Sequence, residues 1–113
     1  MNIIPVSSSG DIDRLIAFSS EKGKTAVIFK HSTRCSISLM AWDRLQRQWN
    51  LDENTALYYL DLLQYRPISN EIAERFHVEH QSPQVLVIRN GNCIYHTSHS
   101  DITAEKIREA VRG

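Results

Sequence analysis

Two continuous apolar runs, Ala26-Val27-Ile28-Phe29 and Ala56-Leu57-Tyr58-Tyr59-Leu60, flank a segment whose apolar residues Ile37, Ala41, Leu45 and Trp49 fall at helical spacing. Unbroken apolar, β-branched runs suit central strands covered on both faces, so strands are expected from about Thr25 to Lys30 and from Thr55 to Leu60, ending at Asp61. The segment between them reads as one amphipathic helix of about four turns, with Met40 beside its apolar stripe and Asp43, Arg44, Gln46 and Arg47 mostly off it. A strand, helix, strand unit of this kind makes the strands parallel and puts their C-terminal ends on the same edge of the sheet. The residues after Lys30 and the segment from Asp61 to Arg66 are therefore expected to be neighbours.

The rest of the chain builds on that unit. Ile3 to Val6 reads as a first strand, and Ser7-Ser8-Ser9-Gly10-Asp11 as the start of a helix carrying Ile12, Leu15 and Ile16, with Gly23 as a stop beyond it. Pro67 is expected to open a third helix, with Ile68, Ile72 and Phe76 on its inner side and an end near His77-Val78. After Ser82-Pro83, two strands of Gln84 to Arg89 and Asn92 to about Thr97 are joined by Asn90-Gly91, a strong hairpin signal. A last helix is expected from about Asp101, with Ile107, Ala110 and Val111 as its apolar side. The order is βαβαββα. With 113 residues and 42% hydrophobic content, the chain has enough apolar surface for one core without metal or disulfide staples, and a single domain over 1–113 is expected.

Cys35 follows the first long strand through Lys30-His31-Ser32-Thr33-Arg34 and stands where the second helix begins. A thiol there meets unpaired backbone N–H groups and the positive end of the helix dipole, which favour thiolate over thiol. Its neighbours Thr33, Arg34, Ser36 and Ser38 are polar, so a reactive, partly exposed sulfur is expected rather than an inert buried one. Three residues on, where dithiol oxidoreductases carry a second cysteine, stands Ser38. Cys93, just past the hairpin turn, pairs near Ile88 or Arg89, about 17 to 20 Å along the strand from Pro83. A disulfide tolerates only about 7 Å between Cα atoms, so Cys93 reads as a structural thiol and Cys35 as a nucleophile working alone.

The segments Lys30-His31-Ser32-Thr33-Arg34-Cys35-Ser36-Ile37-Ser38, Arg66-Pro67-Ile68-Ser69-Asn70 and His80-Gln81-Ser82-Pro83-Gln84-Val85 together resemble the YtxJ-like monothiol bacilliredoxins. The resemblance implies an α/β thioredoxin-like fold with a mixed central sheet and helices on both faces. It implies a monothiol thiol-disulfide oxidoreductase in which Cys35 removes bacillithiol, a cysteinyl glucosaminyl malate, from protein mixed disulfides. Its partners would be S-thiolated proteins and a low-molecular-weight thiol, with bacillithiol as co-substrate and no tightly bound cofactor. Thr33, Arg34, Ser36, Ser38, Arg66, Ser82 and Pro83 are the substrate-contacting positions it marks, with Pro83 as the cis-proline that leaves the Ser82 backbone free to pair with an extended peptide. Arg66 would hold carboxylates of the bound thiol, since guanidinium pairs with carboxylate through two parallel hydrogen bonds. Arg34 and Ser36 stand where the family motif has Thr and Pro; Arg34 adds a cation beside the sulfur, and Ser36 restores a backbone N–H.

Other readings are weaker. Thirteen basic and thirteen acidic residues cancel, which gives no electrostatic reason to expect nucleic acid or an anionic membrane as a partner. No apolar run approaches the ~20 residues of a membrane helix, and the N-terminus lacks the pattern of a signal peptide, so a cytoplasmic protein is expected. His77, His80, His96 and His99 lack the paired cysteines and shared face of a metal site, and none is expected. His31 is read as packing, because residues four apart on an extended chain point away from each other, and Trp42, Trp49, Tyr58 and Tyr59 likewise. A phosphatase-like oxyanion cradle needs an arginine at position 41, which is Ala. The remaining alternative is a non-catalytic thioredoxin-like binding or redox-sensing module whose Cys35 only accepts a thiol cap.

Overall fold

The computed structural model describes residues 2–113. Its organising element is β2 (Thr25–His31), all seven residues of which are buried. Burial is complete because β2 has a strand on each side and helices over each face. It pairs in parallel with β3 (Thr55–Asp61), from Thr25↔Thr55 to His31↔Asp61, and antiparallel with β4 (Gln84–Arg89), from Ala26↔Ile88 to Lys30↔Gln84. β1 (Ile3–Pro5) runs parallel to β3 on one edge, and β5 (Asn92–Ser98) antiparallel to β4 on the other, giving the order β1-β3-β2-β4-β5. The sheet is mixed, as the sequence predicts.

Side chains alternate across the pleat and so divide the core in two. On one face Ala26, Ile28, Tyr58, Leu60, Leu86 and Ile88 pack against α1 (Ser9–Ser19) and α3 (Arg66–Phe76) through Ile12, Leu15, Ile72 and Phe76. On the other, Val27, Phe29, Leu57, Val85 and Val87 pack against α2 (Ser36–Gln48) and α4 (Ala104–Arg112) through Ala41, Leu45, Ala104 and Ile107. Polar side chains set the boundaries. Ser8 caps α1 by accepting from the Asp11 N–H, and Thr103 caps α4 by accepting from the Lys106 N–H, both at 3.2 Å. At the β4–β5 turn Asn90 and Gly91 both take positive φ, and their N–H groups donate to the Ser19 carbonyl (2.8 Å) and Ser19 Oγ (3.1 Å). The hairpin is thereby tied to the end of α1. No helix among the described residues is long and apolar enough to cross a membrane.

Three expectations need correction. α3 begins at Arg66, one residue before Pro67. The chain after β5 makes a single 3-10 turn, His99–Asp101, before α4 starts at Ala104. The stripe of α2 is rotated: Ser38, Ala41 and Leu45 are buried, whereas Ile37 and Met40 are 55% and 66% exposed. The register follows from a polar contact. Ser38 Oγ accepts from the Ser32 N–H at 3.0 Å and stands 2.7 Å from His31 Nδ1, which turns the Ser38 side of the helix onto the sheet.

The face shared with α1 and α3 carries one charged residue in the same register as Ala26 and Ile28. Lys30 is fully buried and has no carboxylate partner. Desolvation lowers its pKa from 10.5 to about 8. The unfolded state therefore holds the proton more tightly, so the penalty is complete below pH 8 and is relieved as pH rises from about 8 to 10.5. Lys30→Met is expected to raise stability at neutral pH by on the order of 1–3 kcal/mol. Its advantage over the parent should shrink through that alkaline window in denaturant titrations, and a pH-independent difference would contradict the assignment. Leu45→Ala should cost about 2–5 kcal/mol and Ile37→Ala no more than about 0.5 kcal/mol. Equal losses in thermal unfolding would restore the unrotated stripe.

Candidate active site

β2 and β3 end together at His31 and Asp61, and the Leu62 N–H donates to the His31 carbonyl at 3.0 Å. β4 runs the other way, so its first residue, Gln84, lies opposite Lys30. Three connections thus leave one edge of the sheet: Ser32 to Cys35, Leu62 to Tyr65, and the segment ending in the Ser82-Pro83 peptide bond, which is cis. Cys35 is the N-cap residue of α2. Its N–H donates to the Ser32 carbonyl (3.1 Å), closing a tight turn, and its carbonyl accepts from the Leu39 N–H (2.9 Å) to start the helix. No side chain caps α2. The first-turn amides and the positive end of the helix dipole therefore remain open beside half-buried Cys35.

The structure distributes the sequence-selected residues unevenly. Thr33, Arg34 and Ser36 are exposed around Cys35. Thr33 and Arg34 line a shallow cleft with Asp61, Leu63 and Gln64, as the parallel crossover requires. Arg66 is exposed at the start of α3, outside that cleft, and its charge bears on His80. Pro83 is buried, and Ser82 Oγ is buried with no hydrogen-bond partner in the protein. Ser38, expected among the substrate contacts, has no exposed surface, and its hydroxyl is engaged with Ser32 and His31. It occupies the place of a resolving thiol as an internal brace. Cys93 lies opposite Ile88, at the far end of β4 from Gln84, and its sulfur donates to the Tyr95 carbonyl at 3.3 Å. Burial pushes its thiol pKa up.

Near this edge one group packs as expected and two, Lys30 and His80, escaped the sequence reading. His31 is buried among Phe29, Trp42 and Tyr59, and burial holds its pKa down against an opposing pull from Asp61. On the opposite face, Lys30 Nζ donates to the Ser69 carbonyl at 3.1 Å and stands 3.3 Å from His80 Nδ1, itself 3.3 Å from Ser69 Oγ. Burial first, then the charges of Lys30 and Arg66, lower the His80 pKa. The signal was in the strand period: Lys30 follows Ala26 and Ile28 at intervals of two residues, which obliges its side chain to enter the core. Among the described residues no group of three or more His, Cys, Asp or Glu side chains could hold a metal ion.

Three exposed polar or charged residues, Thr33, Arg34 and Ser36, around one half-buried cysteine, with a buried serine in place of a second cysteine, make an arrangement suited to one-thiol exchange chemistry. Comparison with known proteins agrees with it. A family model, Monothiol bacilliredoxin BrxC, matches residues 4–107. Among solved structures, a protein assigned as an oxidoreductase with a thioredoxin fold is 30% identical, with a TM-score of 0.80 over 96% of this chain and 92% of that one. A thioredoxin from Malassezia sympodialis is 17% identical, with a TM-score of 0.73 over 98% of this chain and 89% of its own. Fasciola hepatica thioredoxin is also 17% identical, with a TM-score of 0.71 over 96% of both chains. These last two matches speak to fold alone. The fold, the half-buried cysteine at the start of α2 and the family match lead to one conclusion: this chain belongs to the monothiol bacilliredoxin family, thioredoxin-fold proteins of thiol-disulfide oxidoreductase type.

Proposed function

We propose that the protein removes bacillithiol, or a similar carboxylate-bearing low-molecular-weight thiol, from protein mixed disulfides in the cytoplasm. The observation that carries this reading is the placement of Cys35 at an uncapped helix mouth while Ser38 is locked inside. The Cys35 thiolate attacks the cap's sulfur, the cap–protein S–S bond breaks, and the departing protein thiolate takes a proton. One disulfide is consumed and one, between Cys35 and the cap, is formed, so no net electrons are required. With no second thiol beside it, Cys35 keeps the cap until another thiol, bacillithiol itself or a reductase, attacks that bond.

The surroundings support a protein substrate with an anionic cap. Ile37, Leu39, Met40 and Leu63 are exposed large apolar residues on α2 and the segment after β3, flanking Cys35 in sequence or across the edge. They offer the target protein apolar contact around its cysteine. Arg34 and Arg66 supply guanidinium groups for the cap's carboxylates. In this reading the backbone of Ser82, before the cis-proline, pairs with an extended stretch of the target, and Ser82 Oγ adds a group with no hydrogen-bond partner among the described residues.

Offering a protein disulfide-linked to bacillithiol, and in parallel to glutathione, should load the cap onto Cys35, read as an adduct mass on its peptide. Cys35→Ser should abolish the transfer and Cys93→Ser leave it intact; inertness toward both caps would defeat the reading. Neutralising both cations, Arg34→Ala with Arg66→Ala, should raise KM for the bacillithiol-capped substrate, with an effect that weakens as salt rises. An unchanged KM at low salt would remove these residues from the binding site. Ser38→Ala leaves the part-buried Ser32 N–H without its acceptor, and should cost about 1–3 kcal/mol of stability while adduct formation persists. Loss of transfer with stability intact would make Ser38 a chemical participant.

A further inference from the structure

The segment between α3 and β4 carries the cis Ser82-Pro83 bond yet has no regular secondary structure of its own. Its attachments can be followed one by one. Val78 is buried, and its N–H donates to the Ala73 carbonyl at 3.1 Å. Gln84 reaches back, donating from Nε2 to the Glu79 carbonyl at 2.9 Å and accepting from the Gln81 N–H at 3.3 Å. Both contacts are local in sequence. At the far end the Pro83 carbonyl accepts from the His99 N–H at 3.1 Å; the side-chain link to β2 and α3 is His80, whose Nδ1 lies 3.3 Å from both Lys30 Nζ and Ser69 Oγ, while Lys30 also donates to the Ser69 carbonyl at 3.1 Å. One ammonium therefore joins the end of β2, the early turns of α3 and the segment entering the cis-proline.

An ammonium group has three donors and no acceptor, so His80 Nδ1 must be the acceptor of this contact. His80 is thereby fixed as the neutral Nε2–H tautomer, with a single ring orientation. The charged and titratable groups around the pair are few. Arg66, three residues before Ser69, is the other cation acting on His80. The lateral neighbours of Lys30 on β3 and β4 are Leu60 and Gln84, which carry no charge. Among the described residues no carboxylate pairs with Lys30. A core site of this kind accepts an apolar side chain at lower cost than a lone cation, and a contribution to stability does not account for the lysine.

We propose that Lys30, acting through His80, is a positioning residue for peptide-bearing substrates: it holds the backbone edge at Ser82 in the place where an extended target chain pairs beside Cys35. The assignment rests on the exchange reading above and adds to it a division between substrates. A disulfide with peptide on one side uses the Ser82 edge; a small disulfide without a peptide backbone reaches Cys35 without it.

The test compares wild type, Lys30→Met, His80→Phe and His80→Gln on two probes, a short peptide carrying a bacillithiol mixed disulfide and the small disulfide of 2-mercaptoethanol. Lys30→Met and His80→Phe should raise KM for the peptide about tenfold, the loss of roughly 1.4 kcal/mol of binding, with kcat little changed and the small-disulfide rate within about twofold. His80→Gln, whose side-chain carbonyl accepts from the ammonium, should recover most of the peptide KM. Amide hydrogen exchange over residues 79–82 should speed up in Lys30→Met and return toward the parent in His80→Gln. An equal loss on both probes, or no loss on the peptide, would overturn the assignment, as would unchanged hydrogen exchange. A wild-type protein inert to both probes, with exchange altered as expected, would instead overturn the thiol-exchange reading and leave only a structural brace.

Discussion

Complete burial of β2 is the constraint from which the rest of this molecule follows. A strand with neighbours on both sides and helices over both faces has no access to water, so each polar group it carries must be satisfied inside the protein. Most of β2 meets that demand with Ala, Val, Ile and Phe. At its C-terminal end it does not: Lys30 and His31 enter opposite faces as a cation and an imidazole. Each recruits a serine from the helix above it, Ser69 from α3 and Ser38 from α2. The polar end of an apolar strand thus fixes how two helices meet the sheet at the edge where the reactive sulfur sits.

This arrangement leaves Cys35 without a second thiol beside it. In a dithiol protein the residue three after the nucleophile faces it with a second sulfur. Here that residue is drawn inward by the Ser32 amide and His31, so the face of α2 beside Cys35 is left to exposed Ile37, Leu39 and Met40. The same rotation that turns Ser38 inward leaves apolar side chains at the surface beside Cys35. Cys93 is held at the other end of β4 with its thiol disfavoured as an anion, so the two cysteines differ in chemistry as well as place.

Much of the fold was legible because its signals are local and redundant. The Asn90-Gly91 turn, the Ser8 cap, the apolar runs of β2, β3 and β4 and the parallel crossover each follow from residue type and spacing, and together they place Cys35 opposite the segment after Asp61. What escaped reading depends on contacts between distant residues. The apolar count on α2 favoured Ile37 and Met40 as inward residues, and only the pull of Ser38 toward Ser32 and His31 overrides it. Lys30 shares its face with Ala26 and Ile28 by strand period, but the partners that meet it there, the Ser69 carbonyl and His80, lie 39 and 50 residues away. His80 was considered only as a metal ligand, and its partner lies 50 residues away.

The central claim is that position in the fold makes Cys35 the accessible nucleophile and Cys93 an inert thiol. Competitive labelling of the native protein with limiting iodoacetamide, read by peptide mass, puts both cysteines in one tube under one set of conditions. Cys35 modified to near completion before Cys93 reacts is the result this account predicts. Equal labelling, or labelling of Cys93 first, would contradict it.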